Sequence, residues 1–250
     1  MSHILEVNNL NVYYKEKKPS LRSKDKKRVR ILKDISFSVE QGEILGIAGE
    51  SGCGKSTLAK TLCGLHNIYT GNINMTCTKP QMIFQDHAGS LNPSRSVKWI
   101  LSEALRSDRT RHLSKDEIEF RVVKAASDVD FDSSLLDRKP RELSGGQRQR
   151  VCIAAAIIRE PELIIADEPV SALDVTIQAK IVDLLLKLHE RKGISTIFIS
   201  HDLRVIYKLC DRVMVMKDGE IVEIGKRDEI YGAPKEDYTK ELLKASGSIT

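Results

Sequence analysis

No stretch of this chain approaches the 18 or so consecutive apolar residues that a membrane-crossing helix requires. The opening Met1-Ser2-His3-Ile4-Leu5-Glu6 lacks the apolar centre of a secretory leader. Together these absences predict a cytosolic protein, with docking onto a membrane component left open. Cysteines are few, odd in number and never spaced C-x-x-C: Cys53, Cys63, Cys77, Cys152 and Cys210. That pattern argues against a disulfide framework and implies no thiolate metal site, so reduced thiols are expected. No internal repeat and no low-complexity tract beyond one basic stretch is visible, which excludes solenoid architectures. What remains is an ordinary globular composition, 41% apolar and 30% charged over 250 residues. This is enough chain for one large α/β domain or two small ones.

The net charge of +5 is unevenly placed. Residues 15–30 hold nine basic side chains against Glu16 and Asp25, so this segment carries +7 and the remainder −2. A patch for nucleic acid or anionic lipid is one reading. A solvated loop between two strands is the favoured one, because no aromatic residues interleave with the basic ones as base stacking needs.

The most informative stretch is Gly49-Glu50-Ser51-Gly52-Cys53-Gly54-Lys55-Ser56-Thr57. It follows the apolar run Ile44-Leu45-Gly46-Ile47-Ala48 and precedes a helix-like segment with Leu58, Ala59, Leu62 and Cys63. Strand, glycine-rich turn and helix in that order fit the phosphate-loop pattern G-x-x-x-x-G-K-[ST]. Gly49, Gly52 and Gly54 let the backbone curl with successive N–H groups facing an anion, and the helix N-terminus adds its positive end. Lys55 is expected to reach the β- and γ-phosphates of a nucleoside triphosphate. Ser56 is expected to offer its hydroxyl to Mg²⁺.

Around this loop the chain reads as an α/β protein. From Ile4 to Tyr14 and again from Ile31 to Val39, apolar and polar residues alternate, which predicts an antiparallel flap of half-wet strands against a parallel core. Residues 71–75 and 81–84 read as further short strands. Residues 85–93 are a turn-rich link, after which Val97, Ile100, Leu101, Ala104 and Leu105 share one helical face with Trp99 beside it. Ser114 and Glu117 predict a capping box opening a helix through Phe120, Val123 and Ala126. A helical insert over about 86–158 is thus expected within a core of about 1–85 and 159–250. Ser144 caps a further helix with two glycines in its first turn, costly locally unless something must approach the backbone closely. Leu163-Ile164-Ile165-Ala166 and Ile194–Ile199 read as buried parallel strands, ending in Asp167-Glu168 and in Ser200-His201-Asp202. Asp218-Gly219 marks a hairpin. In the polar tail Tyr238, Leu242 and Leu243 can pack back.

Carboxylates at the carboxyl end of a buried strand sit where α/β proteins hold ligands. Asp167 suits Mg²⁺ through its water shell, shared with Ser56, and Glu168 suits attacking water. Gln85 and His201 also end strand-like runs. The Gln85 amide can touch Mg²⁺ or water, and His201 can donate to the γ-phosphate. Tyr13 and Tyr14 remain open between edge packing and a flat surface for adenine.

In their order along the chain, the phosphate loop, Gln85, Leu143-Ser144-Gly145-Gly146-Gln147, Asp167-Glu168, Ser171-Ala172-Leu173-Asp174 and His201 resemble the ATP-binding cassette (ABC) ATPases. The resemblance implies a phosphate-loop NTPase fold with a parallel sheet, an N-terminal antiparallel flap and an inserted helical subdomain. It implies ATP and Mg²⁺ as ligands, and a nucleotide contacted by Gly49, Ser51, Gly52, Cys53, Gly54, Lys55, Ser56 and Thr57. It also implies a second cassette, a paralogue or a copy, whose Ser144, Gly145, Gly146 and Gln147 cap the γ-phosphate in trans. Asp174 couples the two sites, Gln85 links ATP to a partner, and Tyr14 stacks on adenine. Phe84-Gln85-Asp86, Ser90-Leu91-Asn92-Pro93, Asp167 to Val175 and the Tyr238-Thr239 tail look, more narrowly, like ATPases of peptide/nickel importers. Such a subunit works at the cytoplasmic face of the membrane with two transmembrane permease subunits and, indirectly, an extracytoplasmic solute-binding protein; no nucleic acid is expected. The sequence stops at Thr250 without the longer, cysteine-containing extension of many peptide-importer members, which keeps nickel or another small solute open. A soluble ABC ATPase acting on nucleic acid or ribosomes, and the ATP-binding component of a carbon–phosphorus lyase complex, are the alternatives.

Overall fold

The computed structural model describes residues 2–15, 28–77, 80–86, 89–106, 113–171 and 173–247. Most of the basic stretch at 15–30, together with Ala172 of the 171–174 motif, lies outside the described residues. The chain divides into two compact units, Met1–Thr78 with Ser195–Thr250, and Lys79–Ile194.

The first unit opens with β1 (His3–Lys15) and β2 (Arg28–Glu40), followed by β3 (Ile44–Ala48), α1 (Lys55–Leu62) and β4 (Tyr69–Met75). β1 lies between β2 and β4, antiparallel to both, which is the expected flap. Its buried residues switch phase, from Leu5 and Val7 to Leu10 and Val12. The cause is a register shift between Val7 and Leu10, where Asn9 takes a left-handed backbone at φ 49°.

The second unit holds β5 (Gln81–Ile83), α2 (Val97–Arg106), α3 (Lys115–Asp128), α4 (Gly145–Ile157), β6 (Leu163–Asp167) and α5 (Val175–Lys192). β5 and β6 are parallel, and all five residues of β6 are buried. On α2, Val97, Leu101 and Leu105 are buried as the spacing predicts, while the Arg95 guanidinium lies over the Trp99 ring at 4.8 Å. Ser114 caps α3 by accepting the Glu117 N–H at 3.2 Å. The helix, however, buries Val122, Ala125 and Ala126 and leaves Phe120 and Val123 exposed. Ala125 and Ala126 lie three and four positions from Val122 and share its face, whereas Phe120 is on the opposite side and Val123 at the edge. The expected helix through Phe120, Val123 and Ala126 is present, with Ala126 on its buried side.

The chain then returns to the first unit with β7 (Ser195–Ile199), α6 (Leu203–Leu209), β8 (Arg212–Lys217), β9 (Glu220–Lys226), α7 (Arg227–Gly232) and α8 (Asp237–Ala245). β3 lies parallel to both β7 and β8, and β9 closes an antiparallel hairpin on β8. Packing against β3 is close. A Cβ on Gly46 would stand 2.7 Å from Ile206 and 2.8 Å from the Cys210 sulfur, so α6 can seat on β3 only over a glycine. The hairpin turn at Asp218 (φ 48°) and Gly219 (φ 82°) has positive φ at both central residues, as a tight two-residue turn needs. Gly219 lies against β2, its carbonyl accepting the Lys33 N–H at 2.8 Å. The fold class is as expected: α/β, with parallel strands and an antiparallel sheet of N-terminal strands.

Candidate functional site

In the first unit the phosphate-loop sequence leaves the carboxyl end of β3 and runs into α1. Gly49, Gly52 and Gly54 have φ of 148°, 86° and 111°, backbone that a side-chain-bearing residue adopts only at a cost. At Gly49 crowding adds to this, since a Cβ would stand 2.3 Å from the Met216 carbonyl oxygen on β8. At Gly52 nothing stands within 4 Å, so the loop is open there. Lys55 is 5% exposed, and its ammonium donates to the carbonyls of Gly49 (2.7 Å) and Glu50 (2.8 Å). A buried ammonium needs such partners to remain charged. The loop thus fixes a cation beside the N-terminus of α1, an arrangement that fits a phosphate group. Ser51 and Gly52 are exposed, Cys53 and Gly54 buried, and Ser56 and Thr57 half-buried at the start of α1. Burial pushes the Cys53 thiol upward and the neighbouring Lys55 charge only partly offsets this, so it is a neutral packing thiol at pH 7.

The loop is also braced from outside. The Gly219 N–H donates to the Cys53 carbonyl at 3.0 Å, and the Glu50 N–H donates to the Tyr238 hydroxyl of α8 at 3.3 Å. His201 stands two residues beyond Ile199 on β7, and Gly49 two beyond Ile47 on β3; Ile199 and Ile47 are register partners. His201 and the loop therefore share one rim. Its neighbour Asp202 caps α6. Burial alone would raise the Asp202 carboxyl, but hydrogen bonds and charge from Arg204 hold it below the ordinary range. Tyr14 lies at the exposed end of β1 with its ring stacked on His66, centroids 4.3 Å apart.

In the second unit Asp167 ends β6 and is 3% exposed, while Glu168 is half-buried with a left-handed backbone at φ 48°. That break in the strand turns Glu168 out of line with Asp167, and Gln85, just past β5, donates from Nε2 to its Oε2 at 3.1 Å. The structure thus brings Gln85 and Glu168 together. Ser144 and Gln147 form a reciprocal cap on α4: the Ser144 hydroxyl accepts the Gln147 N–H at 3.3 Å and the Ser144 N–H donates to Gln147 Oε1 at 2.8 Å. The two glycines between them differ. A Cβ on Gly146 would stand 2.8 Å from Ile177 of α5, whereas one on Gly145 would make ordinary contact with Leu173 at 3.6 Å. The close approach anticipated for the pair is met inside the chain at Gly146 alone. Asp174 caps α5 by accepting the Ile177 N–H at 3.0 Å.

Sequence reasoning missed the Tyr238–Glu50 contact and the His66 ring behind Tyr14. The first spans 188 positions and has no local signal beyond three residues of a polar tail, Tyr238, Leu242 and Leu243, able to pack back. The second gives no periodic signal, because His66 stands between α1 and β4.

Comparison with known proteins agrees with this geometry. The family model for the ABC transporter matches residues 32–171. The oligopeptide transport ATP-binding protein OppF of Haemophilus influenzae is 43% identical over 97% of this chain and 77% of its own length. The dipeptide transport ATP-binding protein DppF of Escherichia coli is 37% identical over 97% and 76%. Among solved structures, cbiO1 from Clostridium perfringens, part of the ABC transporter complex cbiONQ, superposes with a TM-score of 0.77 at 29% identity, covering 98% of this chain and 94% of that one. The ATP-binding cassette MJ0796, in a dimeric post-hydrolysis state bound to ADP and Pi, gives 0.75 at 27% identity, covering 89% and 98%. A buried lysine in a glycine loop, a buried carboxylate ending a parallel strand and relatives aligned over nearly the whole chain lead to one conclusion: the chain belongs to the ABC transporter family and is one of its ATP-hydrolysing cassettes.

Proposed function

We propose that this chain is the ATPase subunit of a peptide importer, working at the cytoplasmic face of the membrane with two permease subunits, an external solute-binding protein and a second cassette. The observation that carries the reading is the loop of the first unit, where a buried, carbonyl-held Lys55 faces a glycine backbone open at Gly52. The cargo class rests on the relatives, which are named for oligopeptide and dipeptide transport. None of those names speaks for nickel, and no feature of the described residues favours action on nucleic acid, ribosomes or a lyase complex. No helix among the described residues is long and apolar enough to cross a membrane, which suits a subunit that docks on separate membrane-spanning partners.

In this reading Lys55 and the backbone N–H groups of Gly49 and of residues 51–57 hold the β- and γ-phosphates, and Tyr14 stacks on adenine. The Asp167 carboxylate, the Ser56 hydroxyl and the Gln85 amide carry oxygen donors of the kind Mg²⁺ takes; the ion would neutralise phosphate charge when bound. Glu168 orients and deprotonates the attacking water, with Gln85 steering its carboxylate. His201 donates to the γ-phosphate. Ser144, Gly145 and Gly146 offer the start of α4 to the phosphate held by the partner cassette, with Gln147 holding that tip in shape, and Asp174 ties the two sites together. The part of the helical insert near residues 86–105 passes the motion of cassette closure to the permeases.

The test is Glu168→Gln in the purified chain with its natural partner cassette. Phosphate release falls about 10²- to 10⁴-fold, MgATP binding is retained, and ATP-dependent pairing, read by light scattering, persists. Unchanged turnover ends the assignment of Glu168.

A further inference from the structure

The Gly49–Glu50 peptide is held from both sides. Its carbonyl accepts from the Lys55 ammonium at 2.7 Å, and its N–H donates to the Tyr238 hydroxyl at 3.3 Å. The peptide is trans, so these two groups point in opposite directions and pinning one fixes the other. Tyr238 is itself firmly placed. The Lys217 ammonium of β8 lies 4.5 Å from its ring centroid. The entry to α8 is moored to β9 because Glu223 accepts the N–H groups of Lys235 (2.9 Å) and Glu236 (3.3 Å), the two residues before the helix. Thr239 and Leu243, on the same helix, are buried. Every one of these residues lies in the first unit.

We propose that Tyr238 is a positioning residue for Lys55, acting through the Gly49–Glu50 peptide plane, so that the C-terminal helix sets how firmly the loop holds its phosphate ligand. Nothing in the loop's own sequence can do this. The Glu50 N–H faces away from the Lys55 side of the loop, and without an acceptor there the peptide is free to swing and release one of the two carbonyls that aim the ammonium. A phenol suits the place: it is long enough to reach from α8, it carries no charge to compete with phosphate, and burial keeps it protonated. The inference rests on the phosphate loop being the ATP site.

The experiment measures the dissociation constant for MgATP, with a fluorescent ATP analogue as probe, on the full chain and on Tyr238→Phe, Lys55→Ala and the double variant. Tyr238→Phe keeps the ring and its Lys217 contact and removes only the acceptor. The expected result is about three- to tenfold weaker binding for Tyr238→Phe, the scale of one lost hydrogen bond. The same change in the Lys55→Ala background is expected to add nothing, because the two residues act in series. A fluorinated tyrosine at 238, which accepts more weakly but packs alike, is expected to fall in between, and it carries the test should the phenylalanine variant not fold. Unchanged affinity in Tyr238→Phe, or an equal loss with and without Lys55, overturns the assignment of Tyr238 alone. Parent-like affinity in Lys55→Ala would instead overturn the phosphate-loop reading, so the two failures are told apart.

Discussion

Each unit starts a helix on a glycine pair or triplet, and the two starts are built in opposite ways. The loop before α1 is held by other parts of its unit: the β8 backbone crowds Gly49, the hairpin at Gly219 holds the Cys53 carbonyl, and Tyr238 holds the Glu50 N–H. The tip of α4 closes on itself, through the Ser144–Gln147 cap, and only Gly146 is pressed by a neighbour. A loop that must keep an ammonium and a curl of N–H groups aligned needs outside bracing. A helix tip offered to something else needs only a cap, because α-helical geometry already aims its N–H groups.

The largest expected effect breaks the first start. Lys55→Ala should lower ATP hydrolysis at least about 100-fold, on the scale of removing one preorganised charge from a transition state, with phosphate release as the measurement. The melting temperature should fall little, because the Gly49 and Glu50 carbonyls then turn to water.

The second prediction sharpens the contrast between the two glycines of α4. Gly146→Ala places a methyl group 2.8 Å from Ile177 and should cost about 1–3 kcal/mol of stability. Gly145→Ala makes an ordinary contact and should leave stability unchanged or raise it by about 0.5–1 kcal/mol. If Gly145 meets the partner's phosphate, this stable variant should nevertheless lose ATP-driven pairing and turnover. Thermal unfolding beside light scattering reads both, and a Gly145→Ala protein with normal pairing would separate that residue from the interface.

The smallest effect concerns the bracing helix. Burial alone would raise the Glu223 carboxyl, but the N–H groups of Lys235 and Glu236 hold it below its ordinary 4.5. A lowered folded-state value means the carboxylate stabilises fully above pH 4.5, and that this contribution is lost as pH falls through the folded value. The protection factors of the α8 amides, which correct for the pH dependence of exchange itself, should therefore fall on acidification below about pH 4.5 in the parent. In Glu223→Gln the same helix should exchange faster at pH 7 and show less change with acid.

Much of this was legible in the sequence because it is local. The phosphate loop, the Asp218-Gly219 turn and the largely apolar strands ending in Asp167 and before His201 announce themselves within ten residues, and each stands where that signal puts it. Gln85 at the end of β5 is equally local, though its bond to Glu168 across 83 positions is not. The helix α3 was legible too, but not its buried side: Phe120 and Val123 are exposed, and Val122 with Ala125 and Ala126 faces inward. The phase change at Asn9 was hidden because a bulge leaves composition untouched and alters only which residues face inward. The clasp between Tyr238 and Glu50 was invisible because it is a tertiary contact between a loop that reads as self-sufficient and a tail that reads as polar.

Glu168 shows what the placement of one carboxylate demands. Its φ of 48° holds a side-chain-bearing residue in left-handed backbone, a standing strain of roughly 1–2 kcal/mol. Glycine would relieve that strain but bring no acid, and a β-branched residue could scarcely adopt it. On the role proposed for Glu168, the position trades conformational ease for chemistry, and a random replacement there that folds better than the parent should be expected to work worse.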